Sequence, residues 1–79
     1  MEDKQLLQRI AVSPSIMVGK PVIRGTRLTV DFILGQLAHG VSIKEICEEY
    51  GGVITEDIHA CLLFATKTLQ NTEFMPLAS

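Results

Sequence analysis

Three cations, Lys20, Arg24 and Arg27, stand within eight consecutive residues, in the run Gly19-Lys20-Pro21-Val22-Ile23-Arg24-Gly25-Thr26-Arg27. Pro21 fixes its own φ and holds Lys20 extended. Gly19 and Gly25 give the backbone two places to turn sharply or to take positive φ. A short, turn-punctuated segment that displays cations either docks on an anionic partner or locks a rigid lead-in to the rest of the chain. Docking would offer Lys20, Arg24 and Arg27 to carboxylates of a protein or to phosphate. Locking would pair Arg24 or Arg27 internally, and Arg27 with Asp31, four residues on, is the pair expected. Such an exposed pair contributes only ~0–1 kcal/mol.

The other reactive side chains give less. His39, Cys47, His59 and Cys61 are metal-binding types, but no Cys-x-x-Cys spacing occurs. His59 and Cys61 are two apart, so on a helix they project from different sides and share no metal. Cys47 and Cys61 fall on apolar helix stripes and read as small core residues with reduced thiols. With two His and no Ser flanked by a base and an orienter, no nucleophilic constellation forms. The expectation is a binding protein without catalytic residues, metal or cofactor.

Seventy-nine residues make one domain, 1–79. With 47% apolar residues but only one Tyr, three Phe and no Trp, the core must be aliphatic. A core of this size rarely supplies more than ~3–5 kcal/mol, so burial of further surface in a homodimer is expected. The net charge of −2 argues against a non-specific nucleic-acid coat. The charge is unevenly spread. Lys4, Arg9, Lys20, Arg24 and Arg27 outweigh Glu2, Asp3 and Asp31 in the first forty residues, whereas only Lys44 and Lys67 oppose six carboxylates in the remainder. The start Met1-Glu2-Asp3-Lys4 is charged and leads into no signal-peptide core, and no apolar run reaches membrane-spanning length. A cytoplasmic protein is expected.

These side chains need elements to position them. Residues 2–8 favour a short polar turn or helix. Arg9-Ile10-Ala11-Val12 alternates as a half-buried strand does, and Thr26-Arg27-Leu28 is a second strand candidate, so a small β-ribbon from residues 9–12 and 22–28 is expected. Thr29 is a good N-cap, and Val30, Ile33, Leu34, Leu37 and Ala38 make one helical face that Gly40 ends. Ser42 and Glu45 form a capping box for a helix that buries Ile43, Ile46, Cys47 and Tyr50 and stops at Gly51-Gly52. Thr55 is the expected N-cap of a third helix reaching Gln70. Its predicted buried stripe is Ile58, Cys61, Leu62, Ala65 and Leu69, and its predicted exposed residues are Glu56, Asp57, His59, Ala60, Leu63 and Lys67. The tail 72–79 is expected to be loose, with Phe74, Met75 and Leu77 available to a partner.

The fold expected is mainly α: a three-helix, helix-turn-helix-like bundle of winged-helix or homeodomain-like type with a short N-terminal β-ribbon. The last two helices have the layout of a DNA reader, yet the tip of the second carries Glu56 and Asp57 where Arg, Lys, Asn or Gln should meet bases. Phosphate contact through Lys20, Arg24 and Arg27 is the better DNA hypothesis.

Residues 19–27, with Pro14, Ile16, Gly40, Ser42-Ile43-Lys44-Glu45-Ile46, Tyr50 and Thr55-Glu56-Asp57-Ile58, resemble the domain of unknown function 433 family over roughly residues 10–66. Val18 stands where that family usually has a second Gly, which stiffens the hinge. Thr29 stands where it usually has Pro, which trades a fixed φ for a capping hydroxyl. The resemblance implies a bacterial or archaeal antitoxin-like protein that docks on and neutralises a nuclease toxin of the PIN type. The alternatives are a DNA-binding transcriptional regulator and a purely structural homodimer.

Overall fold

The computed structural model describes residues 2–71. In chain order these form α1 (Asp3–Leu7), β1 (Ile10–Ala11), a single 3₁₀ turn (Met17–Gly19), β2 (Val22–Ile23), α2 (Val30–Ala38), α3 (Ile43–Glu49) and α4 (Thr55–Gln70). The expected tail 72–79 lies outside the described residues. The mainly helical class and the N-terminal ribbon are as expected, but the described residues hold four helices, not three, because the polar segment at the start closes a full turn as α1.

Each helix start has a visible cause. Thr29 Oγ1 accepts from the Phe32 N–H (3.2 Å) at the head of α2. Ser42 and Glu45 satisfy each other's backbone N–H groups at the head of α3 (3.1 and 3.2 Å). The α2 end is a Schellman motif: the N–H of Gly40 bonds to Leu37 and that of Val41 to Gln36, with Gly40 at φ 89°. Expectation fails at α4. The cap is Ile54, not Thr55, and the oxygen that satisfies its N–H comes from inside the helix, where Asp57 Oδ2 accepts from Ile54 at 3.0 Å.

The core is aliphatic. Ile23, Ile33, Ile46 and Ile58 are the large, fully buried side chains, joined by Val22 and Cys61. Each such side chain contributes about 1.5–3 kcal/mol by leaving water. α4 is the central element and packs against α1, α2, α3 and β1. Its buried stripe is rotated from the predicted one: Asp57 and Ala60 are buried, whereas Leu62 and Leu69 are exposed. α4 is contacted by α1, α2, α3 and β1 at once, so its buried positions do not fall on one apolar stripe, and Asp57 is held inward by Arg9.

The ribbon is antiparallel, with Ile10 opposite Ile23 and Ala11 opposite Val22. The second strand falls at Val22–Ile23; the Thr26–Leu28 candidate is turn backbone instead. The chain hairpins back at once, with Val22 bridged to Thr29 and the Ile23 N–H donating to the Leu28 carbonyl (2.9 Å).

Candidate functional site

The nine-residue run 19–27 is a folded device as well as a display. Pro21 has no N–H to give, but its carbonyl accepts from Val30 (2.9 Å) and so fixes the start of α2. Val22 and Ile23 pair with β1. Ile23-Arg24-Gly25-Thr26 closes a β-turn in which Thr26 N–H donates to the Ile23 carbonyl (3.0 Å) and Gly25, third in the turn, sits at φ 81°. That position favours glycine because a side chain is strained there. Thr26 Oγ1 staples the turn, donating to the Ile23 carbonyl (2.7 Å) and accepting from the Leu28 N–H (3.0 Å).

The three cations part company on this frame. Arg24 reaches back over the ribbon: Nε donates to the Gln8 carbonyl (2.7 Å) and Nη2 to the Ile10 carbonyl (3.3 Å). It therefore ties β2 to the α1–β1 corner, while its head also lines an open polar groove with Gln5, Gln8, Arg9 and Asp57. Lys20 pairs with Asp31 across 3.7 Å, both side chains exposed. Asp31 thus takes Lys20 and not the expected Arg27, because the turn at Gly25 carries Arg27 to a different groove, lined by Ser15, Ile16, Gly25, Thr26 and Arg27. Among the described residues Arg27 makes neither hydrogen bond nor ion pair, and it is exposed.

Gly19 and Gly25 take φ of 79° and 81°, and Pro21 lies between the 3₁₀ turn and β2. Val18 is the surprise. Met17, Val18 and Gly19 take φ of 47°, 56° and 79° in succession, one turn of left-handed backbone, with Val18 95% exposed. A β-branched residue in this region costs about 1–2 kcal/mol, and no packing of Val18 offsets it. Val18→Asn, which tolerates this conformation, is expected to raise the stability by about 1 kcal/mol. Urea titration checks this; an unchanged or lower midpoint would contradict it.

Sequence reasoning missed the ion pair beneath Arg24. Arg9 Nη1 lies 3.2 Å from Asp57 Oδ1, with the Asp57 side chain almost wholly buried. The signal was present as a polar residue at the first turn of a helix, but residues 9 and 57 are brought together only by the packing of β1 on α4.

Next to Asp57, burial pushes the Cys61 thiol from 9.0 up to about 12, and the Asp57 charge adds to the rise. Two consequences follow from the thiolate being the reactive form. Alkylation at pH 8 is expected to reach half-buried Cys47 while Cys61 stays protected until the fold is opened with denaturant; rapid labelling of both in buffer would contradict this. The folded state also holds the proton that the unfolded chain loses near pH 9, so the stability present below pH 9 declines as pH rises towards 12. Among the described residues no cluster of three metal-ligating side chains occurs, and no helix is long and apolar enough to cross a membrane.

A mainly helical module is thereby defined, with a short antiparallel ribbon and a turn that sets Arg27 in a groove with Ser15 and Ile16. The chain belongs to the family described as "Protein of unknown function (DUF433)", matched over residues 10–65. It is similar to a crystal structure of a DUF433 member protein from Anabaena variabilis, with a TM-score of 0.74 and 28% identity over 85% of this chain and 67% of that one. No curated protein matches.

Proposed function

We propose that the chain is a non-enzymatic, antitoxin-like binding protein that docks on and neutralises a nuclease of the PIN type, the partner implied by the family resemblance. The observation that carries this reading is Arg27. Arg27 is exposed, makes no hydrogen bond or ion pair among the described residues, and lines a groove with Ser15 and Ile16, the residues that lead into the left-handed turn holding Val18 almost fully in water. A cation and an unoffset apolar knob on neighbouring backbone match a protein surface with carboxylates around an apolar depression, as at an acidic nuclease site. Lys20 adds charge beside them, shared with Asp31.

The roles of Arg24 and Arg27 are separable. Arg27→Ala is expected to leave the urea midpoint unchanged and to weaken inhibition of the co-purified nuclease at least tenfold, about 1.4 kcal/mol. Arg24→Ala loses two backbone hydrogen bonds and is expected to cost about 1–2 kcal/mol of stability. Full inhibition by Arg27→Ala at wild-type concentrations would remove the contact assignment.

The runner-up is a DNA-binding regulator. The pair α3 and α4, separated by residues 50–54 with Gly52 at φ 91°, supports a helix-turn-helix assignment. Against base reading by α4 stands its tip: Glu56 is half-buried there, and Asp57 is engaged by Arg9. A duplex-DNA affinity that falls steeply with salt would favour this runner-up.

A further inference from the structure

We propose that the apolar groove between α2 and α4 seats a second copy of this chain, forming a two-fold dimer on a face separate from the Arg27 groove. On the α2 side the groove is lined by Val30, Leu34 and the Lys20–Asp31 pair; on the α4 side by Phe64, Ala65 and Leu69. Leu69 is 66% exposed, and Leu62, seven residues earlier on the same helix, is 41% exposed. Leu62, Ala65 and Leu69 are spaced by three and four, the spacing with which one helix lays a seam against another.

Charge selects the occupant. In an isologous contact the same patch meets itself across the two-fold axis. A patch of one sign would repel its mate. This one carries Lys20 and Asp31 side by side, 3.7 Å apart and both exposed, so each charge of one copy can face its opposite on the other. The patch is thus complementary to itself. A standard interface takes about 800 Å² from each copy, about a seventh of the 5805 Å² surface of the chain. The 16 residues of α4 give the seam a length of about 24 Å.

The test uses the purified full-length chain alone, so it stands or falls apart from any nuclease. Sedimentation equilibrium is run from about 1 to 500 µM, a span that covers weak to firm association. The wild type is expected to move from monomer to dimer. Leu69→Glu, at an exposed position, keeps the dilute-solution circular dichroism and weakens dimerisation at least tenfold, and Leu62→Glu repeats the effect should the first variant misfold. Lys20→Asp and Asp31→Lys each self-associate less than wild type, and an equimolar mixture of the two recovers dimer, because each carries two like charges opposite to those of the other. A wild type that stays monomeric at the highest concentration would overturn the proposal and leave the groove to residues 72–79 or to a foreign partner. A dimer indifferent to Leu69→Glu and to the charge changes would overturn it as well.

Discussion

Asp57→Ala is expected to lower the stability by about 2–3 kcal/mol, read as a fall in the urea midpoint at unchanged slope. The carboxylate does two jobs. Oδ2 satisfies the Ile54 N–H at the head of α4, an interaction of the capping kind worth about 0.5–2 kcal/mol. Oδ1 holds Arg9 at 3.2 Å and so ties the start of β1 to α4. Removing a buried partner from an ion pair costs about 3–5 kcal/mol when both groups are dry. Here Arg9 keeps about a third of its exposure, and water takes over part of its solvation in the variant. Asp57→Asn keeps an oxygen for the cap and loses the charge, so it should fall between wild type and alanine. If alanine were neutral, the link between α4 and the ribbon that carries Arg24 would have to be sought elsewhere.

Ile58→Ala is expected to act more strongly, at about 2–5 kcal/mol. Ile58 is fully buried on α4, in one cluster with Ile23, Ile33 and Ile46. A domain this small holds only about 3–5 kcal/mol in its core, so the variant should be substantially unfolded at room temperature, with lost helical circular dichroism and both cysteines open to alkylation. Leu69→Ala provides the contrast. It removes a similar volume from an exposed site and should leave the dilute protein within about 0.5 kcal/mol of wild type. Equal effects from the two would mean that α4 is turned the other way.

That contrast also marks where the sequence stopped being legible. The starts and stops of α2 and α3 were readable, because Thr29, Gly40, Ser42 and Glu45 act on backbone within a few residues of themselves. The ribbon was readable in place though not in its exact strand, since Gly25 forces the turn one step earlier than the Thr26–Leu28 alternation implied. The phase of α4 was not, because a helix touched on several sides has no single apolar face in its sequence. Leu62 and Leu69 look like core by spacing, and Asp57 looks like surface by type. In the fold Asp57 is buried against Arg9, whereas Leu62 and Leu69 stay exposed.

At the candidate site, residue type revealed the cations but not their division. Arg24 and Arg27 are three apart in one motif. A single turn at Gly25 sends one onto the carbonyls of Gln8 and Ile10 and the other into a separate groove. Arg24 acts as a lock, while Arg27 is exposed and makes no hydrogen bond or ion pair among the described residues. Val18 adds a cost to folding that no internal contact explains, which is the behaviour expected where binding, not stability, sets the residue.

The most direct test of the central claim is recovery of the tagged full-length chain from its host at low and at moderate salt, with mass spectrometry of what co-elutes. A PIN-type nuclease is expected in near-equal amount, retained at moderate salt by the wild type and depleted with Arg27→Ala. Recovery of the chain without such a protein at either salt would contradict the account.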